Sequence, residues 1–375
     1  IGIGNMGRAH TQNILDGKVP RLEVVAIADH NKDKAELFPD IPFYEEAEQM
    51  IASADLDAIL IATPHYDHTT LGIKGLEAGL HVLVEKPISV HKADCERLIQ
   101  AHKSDKQVFA AMFNQRTDPK YQKLKELLTN GEFGEVRRIQ WTITDWFRSE
   151  HYYASGGWRA TWAGEGGGVL LNQCPHQLDL WQWLFGMPSQ VRADCRIAQY
   201  HNIEVEDEVT AYMTYKDGKS GVFITTTGEA PGTNRLEVAT ERGRVIVEGS
   251  DIHWDRNETI TSEFTNQSKS GFDKPDQWKI QIPFSDKGEQ HVGILKNFTN
   301  AIVDGEELVA PAADGIHSVE LANAMLFSTF RDKKVELPLE AAAYEYELQE
   351  RIKNSTFEKK TVAEGTGEDD FAKSF

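Results

Sequence analysis

From residue 3 to about 114, short apolar runs rich in β-branched residues alternate with stretches whose apolar positions recur at helical spacing. The runs cover residues 22–28, 58–62, 81–84 and 108–113, and the helical stretches cover 7–15, 68–78 and 92–102. Strands that are apolar throughout must be buried on both faces, so this half predicts a parallel sheet lying between two layers of helices.

After about residue 134 the texture changes to longer, alternating strands with hairpin punctuation. Strands are predicted over 135–146, 191–200, 209–215, 221–227, 236–240 and 244–248, with turns at 216–219 and 241–244. A helix over 169–185 is closed by Gly186 with Pro188 beyond it, and two more are predicted over 291–303 and 314–330. The expected fold class is therefore α/β plus α+β. A doubly wound parallel sheet is followed by a domain with a large open, mostly antiparallel sheet covered by helices on one face. The boundaries read as 1–115, 116–338 and a helical extension with an acidic tail over 339–375. An open sheet with one bare face calls for a partner, so a homodimer or homotetramer through that face is expected.

Composition narrows the partners. Forty Lys and Arg against 59 Asp and Glu leave a net charge of −19, which excludes a protein that lives on phosphate contacts to nucleic acid or on an anionic membrane surface. No stretch approaches the roughly 18 apolar residues of a membrane span. Cys95, Cys174 and Cys195 are too few and too scattered for a disulfide framework or a zinc site, which fits a reduced, cytoplasmic setting.

The candidate chemistry lies at the ends of the predicted strands. Gly2, Gly4 and Gly7, with Asn5 and Met6 between them, form GxGxxG at the start of a helical stretch, the pattern that lets a backbone approach a pyrophosphate at a helix amino end. Asp29 follows the second predicted strand about twenty residues on, where a carboxylate accepts hydrogen bonds from an adenosine ribose and repels a 2′-phosphate. NAD is favoured, although His30, Lys32 and Lys34 keep NADP open. Thr63 and Pro64 follow the third strand, and the nearby His65, Asp67 and His68 fit no metal-ligand spacing, so no metal is expected. Glu85-Lys86-Pro87 follows the strand at 81–84, and a lysine there must find solvent or a partner. A cis bond at Pro87 that aims Lys86 into the cleft is one reading; a solvated lysine is the other. Trp158-Arg159 and a glycine run from Glu165 lead to Asn172, His176 and Asp179, whose spacing puts them on one helical face.

Taken in this order, GxGxxG, the acid after strand two, EKP after a strand and the glycine run before a helical histidine resemble the Gfo/Idh/MocA oxidoreductases, over nearly the whole chain to about Pro338. The resemblance implies a Rossmann domain, NAD, and hydride transfer at a secondary ring hydroxyl of a sugar, glycoside or cyclitol. It implies Lys86 and His176 as catalytic, Asn172, Arg159 and Trp158 as substrate-binding, and Thr63, Pro64, His68, Glu85 and Lys86 as cofactor contacts beside Gly2 to Gly7 and Asp29. It also implies that the strand feeding Gly2, of which only Ile1 is present, is clipped from the sequence. One departure stands out: the family's acid four residues before the histidine is Asn172 here, and an amide cannot lend negative charge to an imidazolium or ammonium. Two alternatives follow, a non-catalytic NAD-binding sensor and an NAD-using glycoside hydrolase.

Overall fold

A computed structural model describes residues 1–361. In the first half, the helices and strands run α1 (Asn5–Leu15), β1 (Ile27–Ala28), β2 (Phe43–Tyr44), α2 (Ala47–Ser53), β3 (Ala58–Ile61), α3 (His65–Glu77), β4 (His81–Val84), α4 (Lys92–Ala101) and β5 (Phe109–Ala111). β3, β4 and β5 pair in parallel, as do β1 and β2. Of the strand expected over 22–28, only Ile27 and Ala28 enter a ladder. Residues 1 and 2 lie between the two small sheets: the Gly2 N–H donates to the Ala28 carbonyl, the Ala62 N–H to Ile1, and the Ile1 amino group to Leu60, each at 2.8 Å. Ile61, Val82 and Val84 are fully buried, as continuous apolar strands between two layers require.

The second half contains α5 (Pro119–Thr129), β6 (Val136–Ile143), α6 (Glu150–Ala154), α7 (Pro175–Phe185), β7 (Gln190–Ile197), β8 (Glu206–Thr214), β9 (Ser220–Thr226), β10 (Asn234–Thr240), β11 (Gly243–Glu248), β12 (Asp251–Asn257), α8 (Thr261–Gln267), β13 (Gln277–Gln281), α9 (Gln290–Asp304), α10 (Gly315–Phe330), β14 (Val335–Glu336) and α11 (Ala341–Lys353). Nine strands form one sheet in the order β13-β12-β11-β10-β6-β9-β8-β7-β14, antiparallel except where β6 meets β9. Alternate residues such as Trp141, Met213 and Phe223 point inward onto the face covered by α7 and α10, and the buried Trp181 of α7 donates its indole N–H to Tyr215 Oη at 2.7 Å. The opposite face, with Gln140, Thr210 and Tyr212, is open in the single chain.

A helix boundary in the second half also differs from expectation. The helix predicted over 169–185 begins only at Pro175, because the preceding N–H groups are claimed elsewhere. The Glu206 carboxylate accepts from Gly168 at 2.8 Å and Leu170 at 3.1 Å, and proline at the first helical position completes the break. Val169, Leu170 and Leu171 are buried in turns, and Asn172 precedes the helix instead of sharing a face with His176. The core of the first sheet also takes in Ile294, Leu295 and Phe298 of α9 together with Ala310, Ala312 and Val319.

Candidate active site

The carboxyl ends of β3, β4 and β5 face the segments before and after α6 and the turns leading into α7, across a cleft of about 1070 Å³. Its far end is built by the glycine turn. A Cβ on Gly7 would sit 1.8 Å from the Gly2 carbonyl oxygen, and one on Gly2, at φ +82°, would meet the Ala62 backbone at 2.8 Å, whereas Gly4 has nothing within 4 Å. The first and third glycines thus allow the tight turn against β3, and the second leaves the helix amino end bare for a ligand. Gly2, Gly4, Asn5 and Met6 line the cleft and Gly7 lies behind them. Asp29 also faces it, and its carboxylate already accepts from the Ile3 N–H at 2.7 Å and the Asn31 N–H at 2.9 Å, leaving lone pairs for a diol. These groups fit an adenosine ribose and a pyrophosphate.

At the other end, Thr63, Pro64, His68, Glu85 and Lys86 follow β3 and β4. The Lys86–Pro87 peptide is cis. His68 lies between two loops, with Nδ1 2.7 Å from the Pro87 carbonyl and Nε2 2.9 Å from the Thr63 carbonyl; burial lowers its pKa, and the neutral ring donates its single N–H to one of the two. Burial alone would push the Glu85 carboxyl up, but the His10 Nε2 at 2.7 Å, with His291 and Lys86 nearby, outweighs it and pulls it down to about 2. Lys86 donates from Nζ to the Asn172 carbonyl at 3.1 Å; burial lowers its pKa, with Glu85 acting in the opposite sense.

From the second half come Trp158, Arg159, Asn172 and His176. Burial, and then the charges of Lys86 and His291, hold the His176 imidazole well below its ordinary pKa, and its Nδ1 is buried with no hydrogen-bond partner. Asn172 Oδ1 accepts from Tyr152 Oη and from Gln173 Nε2, each at 3.0 Å, while its Nδ2 donates to Glu165. Arg159 donates from Nη1 to Tyr152 Oη at 3.0 Å and its guanidinium sits over the Tyr152 and Trp158 rings.

Three residues that matter here carried no readable signal. Glu165, only the head of the glycine run in the sequence, is a buried carboxylate bonded to Asn172, and burial raises its pKa. Seven residues before Asn172 and one hydrogen bond away from it, Glu165 adds an acid to the network. Tyr152 sits in no motif, yet its hydroxyl joins Asn172, Gln173 and Arg159. His291 enters from α9, and burial lowers its pKa to about 4. Asp179 turns away from the cleft: its two oxygens accept from Arg116 Nη2 at 2.6 Å and Nε at 2.8 Å, and Arg116 Nη1 also reaches Asp314. Among the described residues no group of three or more ligating side chains could hold a metal, and no helix is long and apolar enough to cross a membrane. The three cysteines are free and buried.

Comparison with known proteins bears on the family and the fold. Residues 1–113 match the model of the GFO/IDH/MocA oxidoreductases with their NAD-binding Rossmann fold, and residues 121–246 match the GFO/IDH/MocA C-terminal domain. The chain is 26% identical over 259 residues to the myo-inositol 2-dehydrogenase of Thermotoga maritima, covering 66% of this chain and 74% of that protein. It is 28% identical over 334 residues to the oxidoreductase YdgJ of Escherichia coli, covering 86% of this chain and 92% of that one. The crystal structure of the WlbA dehydrogenase of Bordetella pertussis, in complex with NADH and UDP-GlcNAcA, aligns with a TM-score of 0.76 at 25% identity, over 91% of this chain and 98% of that one.

Proposed function

This chain belongs to the GFO/IDH/MocA oxidoreductase family, and from that premise we propose that it transfers hydride between a secondary ring hydroxyl of a sugar, glycoside or cyclitol and NAD. The observation that carries the reading is the meeting of a half-buried ammonium, Lys86, and the His176 imidazole in one cleft with the glycine turn and Asp29. NAD, when bound, supplies the hydride acceptor. His176 accepts the hydroxyl proton while Lys86 holds the substrate oxygen as negative charge develops on it. Asn172, oriented by Tyr152, Gln173 and Glu165, fixes a neighbouring hydroxyl, and the Trp158 face covers ring CH groups. Absorbance at the NADH band with a panel of sugars, glycosides and cyclitols tests the assignment: no reduction of NAD with any member, and no NADH binding, would overturn it. The open sheet face with Tyr212 supports pairing of two copies as a homodimer or homotetramer.

Two consequences follow for the assigned roles. Removing the Asp29 carboxylate takes away acceptors for the ribose diol and a charge that repels a 2′-phosphate, so Asp29→Ala is expected to weaken NAD relative to NADP by about tenfold or more. Unchanged relative dissociation constants would refute the ribose assignment. Because burial and the Lys86 cation disfavour the imidazolium, His176 stays neutral below the ordinary histidine pKa of about 6.5. The acid limb of kcat/KM should therefore fall below that value, and a limb at or above it would remove His176 as the base.

A further inference from the structure

We propose that the substrate end of this cleft is built for a sugar bearing an anionic substituent, a carboxylate or a phosphoryl group, and that Arg159 receives it. The proposal rests on the dehydrogenase reading above and narrows its substrate class.

The argument begins with what Arg159 lacks. In a chain of net charge −19, carboxylates are abundant, and Arg21, Arg97, Arg116 and Arg138 all find one within salt-bridge distance. Arg159 makes no ion pair among the described residues, and its one hydrogen bond runs from Nη1 to Tyr152 Oη. Its Nε is buried without a partner. The Nε and Nη2 edge, which grips a carboxylate or phosphate in fork geometry, is thus left unused. The guanidinium is nevertheless held in place, 4.8 Å from the Tyr152 ring centroid and 4.6 Å from that of Trp158. From outside the cleft, Lys359 Nζ donates to the Gly156 carbonyl at 2.5 Å and the Arg159 carbonyl at 2.8 Å, pinning the loop that carries the guanidinium.

The acids nearby are committed elsewhere. Glu165 is buried, accepting from Asn172 Nδ2 and from the Ala160 N–H at 2.7 Å. Glu85 turns to His10 and to the Lys86 backbone N–H. Lys86 itself meets a carbonyl, and the Arg148 guanidinium also lies over the Tyr152 ring, 5.1 Å from its centroid. Arg159 and Arg148 both act to lower the Lys86 pKa, so the three cations share one field. The Arg159 and Lys86 side chains, neither of them hydrogen-bonded to a carboxylate among the described residues, favour an anion in the ligand, while Glu165, which the Arg159 charge acts on, is held by Asn172 and Ala160. The cofactor's pyrophosphate does not account for them, because its cradle is the glycine turn on the opposite wall, whereas Arg159 belongs to the wall that carries Asn172.

The test is binding to the enzyme–NADH complex, read by the change in nicotinamide fluorescence, for matched sets that differ only in the charged group: glucose, glucuronate and glucose 6-phosphate, and the galactose equivalents. At least one anionic member is expected to bind tenfold or more tighter than its neutral partner, and the carboxylate and phosphate arms tell the two sources apart. Arg159→Gln is expected to cut that advantage to less than threefold, with Arg159→Lys retaining part of it and thermal melts checking that both variants fold. Neutral sugars binding as tightly as every anionic partner, no sugar binding at all, or an advantage that survives Arg159→Gln would each overturn the proposal. Turnover of neutral sugars beside failed discrimination leaves the dehydrogenase reading standing; loss of NADH binding by the unmodified enzyme removes both.

Discussion

Lys86→Met is expected to lower kcat by about 10²- to 10³-fold, the scale of removing one preorganised electrostatic contact to a developing oxyanion, while NADH still binds. Methionine keeps most of the volume and the unbranched shape, so the cleft stays filled, but the charge and the donor to the Asn172 carbonyl are gone. The substitution also reports on His176. Lys86 is one of the charges that disfavour the imidazolium, so the residual activity should show its acid limb at higher pH than the parent enzyme. Turnover within about tenfold of the parent, with normal NADH binding, would refute the electrostatic role.

The second large effect concerns stability. Arg116 and Asp179 are each 1% exposed, and the pair joins the segment after β5 to α7, three residues beyond His176. Arg116→Met leaves Asp179 as a buried charge without its partner, which costs about 3–5 kcal/mol. Denaturant unfolding should show that loss, and adding Asp179→Asn should recover part of it by removing the stranded charge. A cost under about 1 kcal/mol would mean that Asp314 and solvent, not this pair, set the local balance. Because α7 carries His176, the single variant should also lose kcat beyond its loss of NADH affinity.

What could be read in advance and what could not divide along physical lines. Hydrophobic period placed most strands of the large sheet, and the turns at 216–219 and 241–244 do join β8 to β9 and β10 to β11, because period and turn chemistry are local. The strands at the two ends of the sheet escaped, β12 and β13 at one and β14 at the other: β13 is mostly exposed, so it offers little alternation, and β14 has two residues. The helix placed over 169–185 failed because the apolar run at 169–171 is buried in turns whose N–H groups are taken by Glu206, a partner more than thirty residues away. Lys86, His176 and the glycine turn stood out as motifs at strand ends. Glu165, Tyr152, His291 and Arg116 did not, since each acquires its role from contacts that no local spacing marks; Asp179 did stand out by spacing, but its partner is Arg116, 63 residues away, and not the cleft.

The helix α9 that brings His291 to the cleft has a consequence for how the chain is made. Ile294, Leu295 and Phe298, with Ala310, Ala312 and Val319, close one side of the core around β3, β4 and β5. On a ribosome adding 5–20 residues per second, the first parallel strands emerge roughly 10 to 40 s before the residues that cover them. The nascent amino-terminal unit therefore carries an uncovered apolar flank until residues 294–319 have been made. The residues that cover the cofactor half and the last strand of the large sheet, β14, thus come from the same late stretch of chain.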